Sequence, residues 1–439
     1  MTTDTAASPP GAPAHACVRL LAAALVSGVA AGLIGIAMAV LLEGFEWLFY
    51  GVGEGTLPQR VQAAASWRRI AAPAIGGLTA GALWWWERAT GGVAGVEAAV
   101  GDVSGRTGRH MGLLRPFADG VLQVLTVGAG NSVGREGAPR LMAGAIAARV
   151  SSRLGLDPRA ARTLVAAAAG AGLAAMYNAP LGGAAFAVEI TMLAGMRRRG
   201  VWLAIPVSLL ATVVSWLHSG GRPTFQVTMG APNTATLVAV LPVAGLAALL
   251  GVGARSLWRQ LKDHRLPDTW ALPLGIGAAG LLTGVASLWL PVLPGNGRDA
   301  LEAALTSPTT AAALTCLLGV VVLKPLLTGL TLGAGATGGL LAPSFALGGS
   351  AGAAVAVAAN LAGWQASVPV LALVGAGAVL SITQRAPVFG TVFVWELARG
   401  PLWVLALMAV VSVCCWWLTS PLGVARHIRP RRGRGPASS

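Results

Sequence analysis

The sequence predicts an all-α, polytopic membrane protein, and three observations lead to this prediction. Of the 439 residues, 55% are apolar and only 11% are charged, whereas about 25% of an ordinary soluble domain is charged. Several apolar runs reach the length of about 20 residues that a helix needs to cross a bilayer. The 31 Lys and Arg residues outnumber the 16 Asp and Glu residues and stand mainly at the ends of these runs. These features exclude a disordered chain, a disulfide scaffold, a conventional soluble enzyme and a nucleic-acid partner.

In chain order, the elements are a leader, a long membrane region and a tail. Residues 1–17 form a polar, Pro- and Ala-rich leader without the basic start of a signal peptide, and we expect this leader to be disordered. Runs long enough to span lie at 18–50, 201–217, 234–254, 270–294, 310–333 and 400–418. Shorter runs with Gly and Pro lie at 70–86, 118–130, 138–148, 163–194, 338–361 and 366–396. This mixture is typical of a transporter with broken helices, followed here by a basic tail at 421–439 and no expected regulatory domain.

The densest basic segments predict how the chain is oriented in the membrane. These segments are Arg197–Arg199, the loop 255–265 and the tail 426–434, which we place on the cytoplasmic side by the positive-inside rule. The segment 218–233 carries Arg222 as its one charged residue, and we place it outside. The C-terminus is therefore expected in the cytoplasm.

Two patterns recur along the chain and predict an internal duplication. The pattern Gly134-x-x-x-Ala138-Pro139 reappears 204 residues later, and the pattern Ala179-Pro180-x-x-Gly183-x-x-Phe186-x-x-Glu189 reappears 207 residues later. We expect a first repeat at 18–225 and a second at 226–420. Halves with an odd number of spans would be inverted, with the substrate site between them near the membrane midplane.

Among the acids of the sequence, Glu136 has the position that most strongly indicates a functional role. It stands in Gly134-Arg135-Glu136-Gly137, just before Pro139, and Pro favours the first turn of a helix. Such a carboxylate can simply cap its own helix. Because a helix start also binds anions, the carboxylate can instead act as a plug that leaves when protonated. The equivalent segment at 338–343 has no acid, so its N–H groups are expected to be free for a mobile anion.

These segments resemble the signatures of a known family. Gly134-Arg135-Glu136-Gly137, Gly338-Gly339-Leu340-Leu341-Ala342-Pro343 and Tyr177-Asn178-Ala179-Pro180-Leu181 resemble those of the CLC chloride channels and proton-coupled chloride exchangers, in the same order and at similar spacing. The resemblance covers residues 20–420. It implies a homodimer, one pore per subunit, two inverted repeats of tilted and broken helices, and a bacterial inner (plasma) membrane protein without CBS domains.

The resemblance also implies roles for particular residues. Glu136 would be the gating glutamate and proton acceptor. The N–H groups of Leu340 and Leu341 would bind the central anion, and those of Arg135–Gly137 and Ala342 would serve an outer site. The family's motif Ser falls near Val93, its central Tyr falls at Gly423, and the second of two consecutive acids falls at Ile190. Anion selectivity and the choice between channel and exchanger therefore stay open.

Two other functions remain as alternatives to chloride transport. The first is a repeat-built carrier for fluoride, nitrate or a small carboxylate. The second is an intramembrane serine hydrolase, because Gly130-Asn131-Ser132-Val133-Gly134 matches the GxSxG pattern. No cofactor or metal is expected. Glu189 and Glu396 occupy equivalent repeat positions and fit either a structural role or a part in transport.

Overall fold

The computed structural model describes residues 12–51, 55–102 and 111–422. Within these residues the chain is helical, and seven of the helices are long and apolar enough to cross a membrane. The basic tail and position 423 lie outside the described residues, as does most of the predicted leader. The prediction of an all-α membrane fold is confirmed.

Among the described residues, nine helices precede the connection at 220–233. They are α1 Ala12–Tyr50, α2 Leu57–Ala63, α3 Ser66–Ala89, α4 Val96–Gly101, α5 Leu114–Gly128, α6 Gly137–Arg153, α7 Pro158–Tyr177, α8 Pro180–Phe186 and α9 Arg197–Ser219. A π-helical turn, Ala187–Thr191, continues α8, and a 3₁₀ turn, Ala194–Met196, leads into α9.

Eight helices follow the connection in the part of the chain that the structure describes. They are α10 Thr234–Asp263, α11 Ala271–Ser287, α12 Arg298–Leu305, α13 Ala311–Gly333, α14 Leu341–Leu361, α15 Val368–Gln384, α16 Pro387–Ala398 and α17 Leu402–Leu422. Apart from the short α2, these eight match the first set one by one in order. Several of both sets are too short to span a bilayer, because a spanning helix needs about 20 residues.

The duplication extends to the backbone conformation of the helix ends. α7 ends at Asn178 and α15 ends at Arg385, both in the left-handed conformation, with φ of 53° and 55°. These residues are 207 positions apart, which is the offset of the repeated sequence pattern. Each is followed by Ala-Pro, and the proline begins the next short helix. The fold is thus two inverted repeats of broken helices.

Glycines let the helices of the two repeats approach closely. A Cβ at Gly280 of α11 would lie 2.1 Å from the carbonyl oxygen of Pro73 in α3, and a Cβ at Gly77 of α3 would lie 2.6 Å from the carbonyl oxygen of Ile276. Small residues at such crossings are the usual packing device of membrane helices, because lipid provides no hydrophobic drive for association.

The same device buries the broken helix α14 at the centre of the fold. A Cβ at Gly348 of α14 would lie 2.2 Å from the carbonyl oxygen of Gly375 in α15. α14 is buried along most of its length, so its N-terminus at Leu341 opens inside the protein. The start of this helix is therefore available to bind something within the fold.

Candidate anion-binding site

A short backbone bridge joins the two repeated Gly-rich segments. The N–H of Gly134 donates to the carbonyl of Gly339 at 2.9 Å, and the N–H of Gly339 donates back to the carbonyl of Gly134 at 2.8 Å. The pairing is antiparallel. It holds the start of α6 in the first repeat against the start of α14 in the second.

The Glu136 carboxylate lies on the start of α14. Its Oε1 atom accepts hydrogen bonds from the N–H of Leu341 at 2.6 Å and from the N–H of Ala342 at 3.3 Å. Glu136 is fully buried, and within the described chain its side chain makes no capping bond to the first turn of α6. The reading in which Glu136 caps its own helix is therefore wrong, because the carboxylate crosses to the other repeat.

Two glycines form the walls around this carboxylate. A Cβ at either Gly134 or Gly339 would lie 2.3 Å from Glu136 Oε1, which is closer than side-chain atoms can approach. Neither glycine has a positive φ, so space and not backbone conformation requires glycine here. The bridge and the absence of side chains together make a slot that fits one carboxylate or one small anion.

The slot explains one difference from the sequence expectation. The N–H groups at the start of α14 were expected to be free for a mobile anion, yet Glu136 occupies them. Exposed N–H groups at a helix start carry partial positive charge and favour a negative group. A carboxylate tethered within reach satisfies them whenever no other anion does.

Two cavities are lined by residues next to the slot. Vestibule A, of about 630 Å³, is lined by Val93, Asp119, Gly137, Arg265, Gly338 and Gly339, among others. Vestibule B, of about 620 Å³, is lined by Glu46, Arg135, Tyr177, Asn178, Arg222 and Asp299, among others. Arg135 and Gly137 flank Glu136 in sequence and line different cavities. The buried Glu136 therefore stands between the two.

The structure brings together most, but not all, of the site residues taken from the sequence. Leu341 and Ala342 donate to the Glu136 carboxylate, while Gly137 lines vestibule A and Arg135 lines vestibule B. Leu340 precedes α14, and its carbonyl accepts from the Ser344 hydroxyl at 2.6 Å. Val93 lies in the wall of vestibule A, where its apolar side chain has no hydroxyl to offer an anion. Gly423 lies outside the described residues.

Glu189 and Glu396 have a reciprocal arrangement that sequence reasoning did not find. Glu396 of α16 accepts from the N–H groups of Leu181 and Gly182 at 3.1 and 2.7 Å, at the start of α8. Glu189, just after α8, accepts from the N–H groups of Val388 and Phe389 at 3.4 and 2.7 Å, at the start of α16. Each acid thus caps the short helix of the other repeat. The equivalent repeat positions of the two acids were the available signal.

Two further side chains bear on the alternatives. Tyr177 is buried between Phe393 and Phe345 of α14, with ring centroids 5.3 and 6.3 Å apart, and it lines vestibule B. Ser132 is fully buried and shares a hydrogen bond with the Thr328 hydroxyl at 3.0 Å. A buried serine paired with a threonine lacks the general base that a hydrolase nucleophile requires.

Comparison with known proteins agrees with this geometry. The family model described as "Voltage gated chloride channel" matches residues 76–419. The chain is 31% identical to the voltage-gated ClC-type chloride channel ClcB of Citrobacter koseri, over 84% of this chain and 89% of that protein. It is also 31% identical to ClcB of Salmonella typhimurium, over 86% of this chain and 90% of that protein. The chain belongs to the CLC family. It is a multi-pass membrane transport protein and not an enzyme.

Solved structures show the same fold at lower identity. A slow cyanobacterial Cl⁻/H⁺ antiporter matches with a TM-score of 0.76 and 24% identity, over 92% of this chain and 95% of that one. A CLC-type fluoride/proton antiporter matches with a TM-score of 0.69 and 18% identity, over 92% and 96%. A eukaryotic CLC transporter matches with a TM-score of 0.72 and 21% identity, over 92% and 72%.

Proposed function

We propose that this protein exchanges chloride for protons across a bacterial inner membrane, with Glu136 as both gate and proton acceptor. One observation carries the proposal: the Glu136 carboxylate lies on the N–H groups of Leu341 and Ala342, between two cavities. These are the groups that would hold a transported anion. Anion and carboxylate therefore compete for one place.

Protonation gives this competition a direction. An ionised carboxylate forms charge-assisted hydrogen bonds, which are roughly twice as strong as neutral ones. A neutral carboxyl group loses much of this advantage, leaves the slot and lets an anion take its place. The proton released when Glu136 returns then accounts for the opposite movement of the two ions. Exchange follows because the same side chain binds the proton and occupies the place of the anion.

The slot supports chloride as the substrate. The donors seen in the slot are the N–H groups of Leu341 and Ala342, and we propose that those of Leu340 and of Arg135–Gly137 also serve the anion. Neither the motif hydroxyl nor the central tyrosine of the family has a counterpart here, since Val93 and Gly423 replace them. Backbone donors suit a weakly hydrated anion such as chloride. The curated relatives are named as chloride channels, which agrees with this choice.

The orientation follows from the charges around each cavity. Vestibule A is lined by Arg265, which belongs to a segment that the positive-inside rule assigns to the cytoplasm. Vestibule B is lined by Arg222, in the segment assigned to the outside. We therefore take vestibule A as cytoplasmic and vestibule B as external. The C-terminus, after α17, is assigned to the cytoplasm on the charge of the tail.

The assembly that we propose is a homodimer of subunits, each with repeats at 18–225 and 226–420. The short helices α8 and α16 support it. Leu181 is 44% exposed and Val388 is 57% exposed, each in the first turn of its helix. The N–H groups at these helix starts are bonded to Glu396 and Glu189, so what remains exposed on this face is apolar side-chain surface. A second subunit packed on this face would cover it.

The test is a flux assay on purified protein in liposomes that hold an outward chloride gradient. External pH and external chloride are recorded together. We expect uphill proton movement in the wild type, and in Glu136→Ala we expect continued chloride efflux with no proton movement. Glu43→Ala is the matched control, because Glu43 is an exposed acid in vestibule B.

Three results would contradict the proposal. In the first, wild-type liposomes release chloride only after an ionophore balances charge, and no protons move. The protein would then be a passive channel, a second candidate function that the apolar Ile190 favours. Proton pumping that survives in Glu136→Ala would remove Glu136 from the proton path. Absence of chloride flux with flux of fluoride or nitrate would reassign the substrate.

A further inference from the structure

Vestibule A contains a group of buried polar side chains that the gate itself does not use. They are Glu87 of α3 and Asp119 and Gln123 of α5, which are 6%, 4% and 2% exposed, and all three line the cavity. Buried acids inside a membrane protein are costly and usually functional. Glu136 is the one acid for which the proposed exchange so far provides a role.

Asp119 is held by two donors. Its Oδ1 accepts from the indole N–H of Trp84 at 2.7 Å, and its Oδ2 accepts from the side-chain amide of Gln123 at 2.7 Å. These bonds fix the carboxylate against the cavity wall. The Trp84 side chain is itself fully buried, so this contact is stably positioned.

Two oxygen atoms beside Asp119 have no partner. Within the described residues, Gln123 Oε1 and Glu87 Oε1 are buried and lack a hydrogen-bond donor. An unsatisfied buried polar atom costs about 1–3 kcal/mol, so a fold rarely keeps two of them together without use. Both side chains line vestibule A, where a water or a proton-bearing group can reach them.

Gln123 connects this group to the gate. A Cβ at Gly137 would lie 2.4 Å from Gln123 Oε1, so the amide lies against the residue that follows Glu136. Asp119, Gln123 and Gly137 thus form a continuous line from the cavity wall to the base of α6. The cavity also reaches Gly339, which contacts the Glu136 carboxylate on its other side.

The arginines near this line are already engaged elsewhere. Arg88 donates to Asp268 at 2.7 Å and to Thr337 at 3.0 Å. Arg140 donates to Glu97 at 2.8 Å. Arg115 donates to the carbonyl of Gly92 at 3.1 Å, and Arg265 donates to Asp268 at 2.8 Å. Glu87 is the other acid that faces Asp119 within the described part of the chain.

We propose that Asp119 is the cytoplasmic proton acceptor that supplies Glu136, with Gln123 as the positioning residue between them. This proposal rests on the proposed exchange function. A proton from water in vestibule A binds Asp119 Oδ2. While ionised, this oxygen accepts a hydrogen bond from Gln123 Nε2; once protonated, it donates a hydrogen bond to Gln123 Oε1 instead. The amide turns, and its NH₂ group faces Gly137. The proton leaves Asp119 to cavity water and then binds the Glu136 carboxylate as this group swings out of the slot.

This route through Asp119 also accounts for the missing inner proton acceptor at Ile190. That residue stands where proton-coupled relatives often carry an inner acid, so a proton route from the cytoplasm needs another acceptor. Asp119 lies on a different helix from Ile190, and it lines the same cavity as Gly137. The protein can then couple protons to anions through vestibule A.

The test uses full-length protein in liposomes under the chloride gradient described above. In Asp119→Asn we expect proton movement per chloride to fall at least tenfold, while chloride flux stays within about twofold of wild type. Asp119→Glu is expected to restore proton movement, with a different internal pH for half-maximal proton transport. Glu43→Gln is the control, because Glu43 is an exposed acid of vestibule B, away from this line.

Each outcome decides between the claims. Coupling that is unchanged in Asp119→Asn would overturn the role of Asp119 and leave the exchange function intact. A wild type that moves chloride without protons would overturn both. If Asp119→Asn cannot be recovered folded, Gln123→Met tests the same proton route. We expect this variant to reduce proton flux at least tenfold more than chloride flux. An equal reduction of both fluxes would overturn the proposal.

Discussion

The slot around Glu136 makes a sharp prediction for Gly339→Ala. The new methyl group would lie 2.3 Å from Glu136 Oε1 and 2.4 Å from its Cδ. Ordinary contacts between such atoms are about 3.4 Å or longer, so the carboxylate must move by about 1 Å. The backbone at position 339 has no positive φ, and alanine is therefore conformationally acceptable. We expect the methyl group to expel the carboxylate while α14 keeps its place.

The size of the effect follows from the bonds that are lost. Glu136 gives up its contacts with the N–H groups of Leu341 and Ala342, at 2.6 and 3.3 Å. A hydrogen bond to a charged group contributes about 1.5–3 kcal/mol, and the lower value suits this pair because one bond is long. The sum is about 3 kcal/mol, which shifts the balance between bound and released carboxylate by about a hundredfold.

The assay is the liposome flux measurement with pH and chloride recorded together. Gly339→Ala is expected to pass chloride faster than wild type and to move fewer protons per chloride. Gly338→Ala is the matched control: its Cβ would meet Val133 Cγ2 at 2.2 Å, an equal steric load in the same segment that does not touch the carboxylate. Wild-type coupling in Gly339→Ala, or the same loss in both variants, would refute the reasoning.

The remaining predictions concern stability, measured by thermal unfolding in detergent. Glu396→Ala should lower the free energy of unfolding by about 1–2 kcal/mol, because it removes a helix cap. Glu189→Ala should cost less, since one of its bonds is long at 3.4 Å; the reverse order would contradict the capping roles. Gly348→Ala should destabilise by several kcal/mol, because its Cβ would lie 2.2 Å from the Gly375 carbonyl oxygen. Gly253→Ala, with nothing within 4 Å of the added Cβ, is its control, and equal losses would contradict the packing argument.

Three carboxylates follow one rule that becomes visible once the fold is known. Glu136 caps α14, Glu189 caps α16 and Glu396 caps α8, and each crosses from one repeat to the other. Helix starts buried at membrane depth have N–H groups that lipid cannot satisfy. An acid from the opposite repeat satisfies them. At α14 the same physics also leaves a place that an anion can take.

Much of the fold was predictable from local sequence. Composition and apolar run length gave the membrane class, since these depend only on transfer of side chains and backbone out of water. The repeated patterns predicted a duplication, and in the structure the repeated prolines Pro180 and Pro387 begin equivalent short helices. The placement of Glu136 just before a helix was also correct, because Gly and Pro mark such boundaries without reference to the rest of the chain.

The sequence alone therefore determined the membrane class, the duplication and the acid at a helix start. The tertiary structure decided which helix start that acid serves. The bonds that define the site join residues 205, 200 and 214 positions apart, and such partners are set by how the repeats pack. Local patterning predicts a helix and its cap, whereas a cap supplied from the other repeat depends on the Gly134–Gly339 bridge. That packing decided between the two readings of Glu136, because it places the carboxylate on the start of α14 and not on its own helix.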